Sequence, residues 1–568
     1  MQRTERKAAA LATCRTGGQI LVDQLLVQSV ERATCVPGES YLAVLDALHD
    51  AAIDVMICRQ EGGAAIMADA YGKLTGKPGI CFVTRGPGAT NASPGIHIAK
   101  QDSTPMIVFV GQVERSMRER EAFQELDYKA VFGTLAKWAV EIDRAERIPE
   151  IVARAFRVAT QGRPGPVVVS LPEDVLTDRT VVADAPRVEP AQPAPGEAEM
   201  AELARLVGQA ERPLAILGGS AWSQEAHDAV IRFAERFDLP VTTSFRRSAL
   251  FPADHANYVG DLGVGPSPKL AAHVKQADLI LLVGGRFSEQ QSSGYTLIDV
   301  PVPKQKLVHV YPDLDELGRV YQPALAINAT PETFAAALEA LAKPNRIIWH
   351  ERTASLRSEY LDWTGAPRRQ PGAFQYGEAM VWLRERLSPE AIICNGAGNY
   401  ATWVHRYYRF RRFGTQLAPT SGSMGYGVPA AVMAKRQFPD RPVIAFAGDG
   451  CFLMNGQEFA TAVQYNLPII VIVIDNGMYG TIRMHQELHY PGRISATGLR
   501  NPDFAGYAKA FGGHGERVER TEEFAPSFER ALACGKPAIV HCIVDPEALT
   551  PARTLSEIRA AGEKATAD

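Results

Sequence analysis

Nowhere in its 568 residues does this sequence place two cysteines in a CxxC pair. The eight present (Cys14, Cys35, Cys58, Cys81, Cys394, Cys451, Cys534 and Cys542) are scattered. That excludes a disulfide framework and a cysteine zinc site, and it predicts reduced thiols in a cytosolic protein. No apolar run approaches the roughly eighteen residues of a membrane span. The N-terminal stretch MQRTERKAAALATCRTGG turns polar too soon for a signal sequence. Basic blocks are also missing, and the formal net charge is only -4. The chain therefore carries no electrostatic footprint for nucleic acid or a membrane surface. Short-period repeats and low-complexity tracts are lacking as well. A hydrophobic content of 46% with 22% charged residues is that of an ordinary globular protein, and the expected location is cytoplasmic.

What is present is a rhythm. The chain exceeds the size at which one core stops growing, so about three domains are expected. In the first, DVMICR, GICFVTR, PMIVFVGQ and GPVVVSLP read as fully buried strands between helix patterns. The stretch DAPRVEPAQPAPGEAEM (184–200) is rich in Pro and Ala without periodicity and reads as a linker. A second block carries PLAILGG, LPVTTS, DLILLVGG and KLVHVYP. After the irregular GAPRRQPGAFQ, a third carries AIICNG, PVIAFAGDG, PIIVIVIDN and PAIVHCIV. The pattern predicts three doubly wound parallel-sheet α/β domains, over 15–183, 198–343 and 373–548, with the first and third repeating one fold.

The third block holds the most informative stretch, GDGCFLMNGQEFATAVQYNLPIIVIVIDN. It puts Asp449 just beyond one strand and Asn476 just beyond the next. Ligands of open parallel sheets bind beyond such carboxyl ends. Gly448 and Gly450 permit a tight turn and close backbone approach, and a following helix start offers free N–H groups to an anion. An acid and an amide oxygen beside an anion site suit Mg²⁺ held on a diphosphate. Taken singly, Asp449 could be a helix cap and Asn476 a turn residue. Together they favour the clamp.

This stretch resembles the thiamine diphosphate signature, in which GDG is followed by Asn-Asn at the end of the next strand. Here Asp475 stands in place of the first Asn, and Asn476 keeps the second. RQEGGAAIMADAYGKLTGKPGICFVTRGPGATNA, DSTPMIVFVGQV, AFQELD, AKWAVEI and SGSMGYGVPAAVMAKRQFPDRPVIAFAGDG extend the likeness over nearly the whole chain, to acetohydroxyacid synthase and its relatives.

The resemblance implies thiamine diphosphate and Mg²⁺ as cofactors, with Asp449, Asn476 and the Met478 carbonyl on the metal. It implies that Glu61 is catalytic, hydrogen-bonding the aminopyrimidine ring and promoting loss of the reactive proton. Met424 would wedge the cofactor into its bent shape. Asn399 and Tyr400, where the synthases carry Gln-His, would lie on the diphosphate with Gly448, Gly450, Cys451 and Gly480.

Gln112 and Lys137 match positions near the synthase substrate. Thr481 and His485 stand where the synthases have a Met and a Trp, which predicts a more polar acceptor pocket. Thr84 stands where benzoylformate decarboxylase carries a histidine. The implied activity is carboligation or C–C lysis on a small 2-oxo acid, the alternative being a non-ligating decarboxylase of the benzoylformate decarboxylase type. In the synthases the middle domain binds FAD, and Arg286 in VGGRFSEQQ keeps an arginine of that site. Ser288 and Glu289 replace its acidic pair, so FAD in a structural role and a central domain without flavin both stay open. The family likeness further implies a homodimer or homotetramer with active sites between subunits.

Overall fold

A computed structural model describes residues 13–567 except Asn345, and the Ala-rich start of the chain lies outside them. Three six-stranded sheets, each wholly parallel, follow one another along the chain. Counted in chain order within each sheet, the first and third have the strand order 2-1-3-4-6-5, and the central one has 3-2-1-4-5-6. The expectation of one fold used twice is met strand for strand. Among the described residues no helix is long and apolar enough to cross a membrane.

The strands read from apolar runs form the sheet interiors, except DVMICR: Asp54–Ile57 is an edge strand, only partly buried and with Ile57 exposed, because it has one neighbouring strand instead of two. Met106–Gln112, Pro166–Pro172, Leu279–Val283 and Val443–Gly448 are buried along their whole length, because helices cover both faces. The Pro-rich stretch before helix Glu197–Gln209 has no regular element, yet it is fastened to the first domain. The side chain of Gln24 brackets Ala185, accepting from its N–H at 2.8 Å and donating to its carbonyl at 3.0 Å. Gln28 accepts from the N–H of Val188 at 2.9 Å. Beyond Lys343, helix His350–Trp363 packs back on the central core. Trp349 and Tyr360 are buried there, and Trp349 Nε1 donates to the Phe237 carbonyl at 3.1 Å.

The first and third domains share one apolar core, in which Met56, Ile66 and Ile96 pack with Tyr426, Val428, Met433 and Phe459. Polar groups pin the seam. The Tyr426 hydroxyl donates to Asp69 at 2.8 Å, and the Arg436 guanidinium takes both oxygens of Asp54 at 2.8 and 2.9 Å. Glu458 is fully buried and accepts the N–H groups of Arg59 and Gln60, each at 3.0 Å. The approach is so close that a Cβ on Gly63 would lie 2.5 Å from Glu458 Oε1. This contact fixes the start of helix Glu61–Thr75.

Candidate active site

Strands Val443–Gly448 and Ile470–Asp475 run side by side, with Gly448 opposite Ile474. Both are apolar almost to their ends, so Asp449 and Asn476 emerge together at the carboxyl edge of the sheet. Asp449 is 3% exposed. Its Oδ1 accepts the Gly450 N–H at 2.9 Å, and its Oδ2 accepts Asn501 Nδ2 at 2.7 Å. The same Asn501 amide donates to Asp475 Oδ1 at 2.8 Å. Asp475 also accepts the Gly477 N–H at 3.0 Å, and His541 Nε2 lies 2.9 Å from its Oδ2.

These surroundings drive the two acids apart. Burial raises Asp449 to about 6, and Asp475 adds to that against the donors Gly450 and Asn501. Burial also acts on Asp475, but hydrogen bonds from His541, Asn501 and Gly477 outweigh it and hold the carboxyl below its usual range. Two acids bridged by one amide, one of them disfavoured as a bare anion, make a site that a cation would stabilise.

The donors available fit Mg²⁺. They are the Asp449 carboxylate, the Asn476 amide oxygen and the Met478 carbonyl, all hard oxygens. Met478 forms an isolated bridge to Gly498 whose backbone bonds run from Tyr479 N to Thr497 O and from Leu499 N to Gly477 O. Neither uses the Met478 carbonyl. Among the described residues no three His, Cys, Asp or Glu side chains gather into a metal site. A cation here therefore needs further oxygens, and a diphosphate would bring them.

A cavity of about 250 Å³ opens on this cluster. It gathers Asn399, Tyr400, Met424, Gly448, Asp449, Gly450, Cys451, Asn476, Met478, Gly480 and Thr481, which are the cofactor, metal and one of the substrate positions marked in the sequence. A Cβ on Gly450 would lie 2.6 Å from the Tyr479 ring, so only glycine leaves this backbone bare. Cys451 Sγ accepts the Gly425 N–H at 3.2 Å and lies 3.4 Å from the Tyr400 hydroxyl, tying the Met424 loop to the helix start. Thr481 and Asn399 satisfy each other. The Thr481 hydroxyl donates to Asn399 Oδ1 at 2.9 Å and accepts the Asn399 N–H at 3.1 Å.

Five marked residues lie outside this cavity. Glu61, at the first turn of its helix, accepts Asn91 Nδ2 at 3.0 Å, and a Cβ on Gly88 would fall 3.2 Å from its Oε1 and 2.7 Å from Thr84. Gln112 is buried and donates to the Leu126 carbonyl at 2.7 Å. Lys137 donates to the Gln161 carbonyl at 2.5 Å. His485 is exposed and stacks on His489 at 6.1 Å, on the helix that starts at Gly480. Arg286 Nη2 donates to the Gln101 carbonyl at 2.6 Å.

Sequence reasoning missed Asn501 and His541. A lone buried histidine in the apolar strand Ala538–Ile543 was a readable anomaly. Asn501, in a loop before a proline, carried none. It also missed Glu487, whose buried carboxylate ties helix Gly480–His489 to the C-terminal helix Leu555–Ala567. It accepts Arg559 at 2.7 and 2.8 Å, Arg483 at 2.8 and 3.0 Å, and the Gly492 N–H at 3.0 Å. Led by Arg559, these donors draw Glu487 down to about 2.

A carboxyl lowered on folding stabilises the fold above its ordinary value of about 4.3, and the contribution fades as pH falls toward the folded value. Glu487→Gln is expected to cost about 2 kcal/mol at pH 7. The gap in melting temperature to the native protein should narrow between about pH 4 and pH 2. A gap constant with pH would refute this.

The chain matches three family models in order: the N-terminal TPP binding domain of thiamine pyrophosphate enzymes over residues 15–131, the central domain over 200–340, and the C-terminal TPP binding domain over 396–542. It is 33% identical over 545 residues to an acetolactate synthase large subunit of Parasynechococcus marenigrum, covering 92% of this chain and 87% of that one. To the acetolactate synthase isozyme 2 large subunit of Escherichia coli it is 31% identical over 534 residues, covering 93% and 95%. To an acetolactate synthase large subunit of Corynebacterium glutamicum it is 31% identical over 556 residues, covering 94% and 87%. With the glycine-floored cavity, the paired strand ends and the three sheets in this order, the chain belongs to the thiamine pyrophosphate enzymes, among those that resemble acetolactate synthase large subunits.

Proposed function

We propose that this chain is a Mg²⁺-dependent carboligase that joins a small 2-oxo acid to a carbonyl acceptor. The observation that carries the reading is the delivery of Asp449, Asn476 and the free Met478 carbonyl to one edge of a cavity whose floor is glycine backbone. When bound, thiamine diphosphate supplies the electron sink that breaks and forms bonds next to a carbonyl. Asp449 and Asn476 would hold the cation that in turn holds the diphosphate, and Met424 would shape the space around the reacting carbon. Glu61 would hold a proton at the aminopyrimidine of the bound cofactor.

Within one chain Glu61 does not line the cavity. That separation supports a homodimer at least, and a homotetramer of such pairs, with each site completed by Glu61 of a second copy. For the acceptor, Thr481 spends its hydroxyl on Asn399, so added polarity on this helix rests with the exposed His485 and His489. A polar wall discriminates strongly for acceptors that match it.

The test is a panel of 2-oxo acids and aldehydes, with products identified by mass spectrometry. The expected outcome is a coupled acyloin product, with oxygenated acceptors competing well against 2-ketobutyrate. Release of aldehyde alone with every acceptor, or a strong preference for 2-ketobutyrate, would overturn the reading.

A further inference from the structure

The central sheet reverses strand order between Pro213–Leu217 and Leu279–Val283. A sheet of this order takes a dinucleotide at that reversal. In this chain the part of the crevice beside Arg286 is taken up by the first domain. The turns that flank the crevice meet backbone to backbone, and a Cβ on Gly219 would lie 1.6 Å from the Gly284 carbonyl oxygen.

Over the turns sits the C-terminal end of the first domain's helix Ser93–Asp102. The last carbonyls of a helix have no partner inside it, and here side chains from around the crevice supply them. Arg286 Nη2 donates to Gln101 O at 2.6 Å and Arg247 Nη2 to Asp102 O at 3.4 Å. The Ser220 hydroxyl donates to Ser103 O at 2.5 Å. Arg163, from the first domain, donates to Lys100 O at 2.7 Å and reaches across to Glu316 of the central domain at 2.7 Å. Cations at a helix C-terminus also face its negative dipole end.

The Asp102 side chain continues the connection into the third domain. Its Oδ1 accepts the Thr420 N–H at 2.8 Å, and its Oδ2 pairs with Lys73. Lys73 also holds Asp69 at 2.8 Å, and Asp69 accepts the Tyr426 hydroxyl. Thr420 and Tyr426 bracket Met424. The cleft left beside Arg286 measures about 20 Å³, which is room for one water. A larger cavity of about 550 Å³ opens on Gly219–Gln224 and is also lined by Arg246 and Arg247, but Arg286 does not line it.

We infer that this crevice is a clamp between domains and not a flavin site: its arginines hold the end of helix Ser93–Asp102 and, through Asp102, the loop that carries Met424. The residues around Arg286, spent on helix carbonyls, do not fit FAD at the strand-order reversal.

The experiment has two readings, neither of which involves turnover. The purified full-length protein, denatured to release any ligand, is expected to show no flavin absorbance, and titration with FAD should give no heat. In Arg286→Ala, amide exchange at Ser103 and Thr104 should quicken on the order of tenfold, and Arg286→Lys should fall between. Stoichiometric flavin in the native protein, or unchanged exchange in Arg286→Ala, would overturn the inference. If Arg286→Ala does not fold, Arg286→Lys and the flavin measurement on the native protein decide.

Discussion

Calorimetry of Asp449→Ala with thiamine diphosphate and Mg²⁺ is expected to show affinity reduced by at least about a hundredfold, roughly 3 kcal/mol. Chelation of divalent ions should do the same to the native protein. The reasoning rests on what reaches the cofactor's charge. Among the described residues no Lys or Arg lines the 250 Å³ cavity, and its polar side chains are an acid, two amides, hydroxyls, an indole and a thiol. An acid cannot hold a diphosphate directly, since like charges repel across any distance at which they could bond. Asp449 is useful there only with a cation between. Removing it deletes the one formal charge on that ion's protein side, whereas Asn476 and Met478 offer dipoles. Asn501→Ala acts one step back, by releasing Asp449 and Asp475 from their bridge, and a smaller loss of about tenfold is expected. Equal affinity with and without chelator would sink the idea.

Mixing two inactive variants should restore activity. Glu61→Ala lacks the group for the aminopyrimidine, and Asp449→Ala lacks the metal ligand. If each site takes one residue from each of two copies, a mixed pair carries one intact site and one doubly damaged one. Random reassortment into symmetric pairs then gives about a quarter of native activity. The structure supplies the motive, because Glu61 sits with Asn91, Thr84 and Gly88 while Asp449 opens on a cavity that Glu61 does not line. Subunits that demonstrably exchange and yet stay silent would rule the shared site out.

The paired strand ends were legible because a buried parallel strand reads as an unbroken apolar run, and the first polar residue after it marks the edge where ligands bind. Most strands at sheet edges were not, nor was the short interior strand Arg32–Cys35, whereas the edge strand Asp54–Ile57 was read from DVMICR. Trp138–Glu141, Tyr258–Asp261, Leu325–Asn328, Gln416–Leu417 and His514–Val518 escaped notice, and each is the outermost strand of its sheet. With one neighbour instead of two they run short or mixed in polarity. At the site, the polar residues that follow directly on a buried strand, Asp449 and Asn476, were legible from spacing. The ones missed act through other side chains: Asn501 arrives from a loop twenty-odd residues past the strand it serves, and nothing local in the sequence betrays such a partner. Thr481 was legible as a polar replacement, but that its hydroxyl would be consumed by Asn399 could be seen only once the two loops met.

The core that joins the first and third domains bears on how the chain is made. Met56, Ile66 and Ile96 are synthesised early, and their partners Tyr426, Val428 and Phe459 only after the entire central domain. Chains fold from the N-terminus as they emerge, so the central domain can close its own core while the first still presents a naked apolar face. That face stays exposed until the last third of the polypeptide arrives. Closure of so distant a contact is slow, and the interval is the stage at which the nascent chain is most open to aggregation and most in need of a holding chaperone.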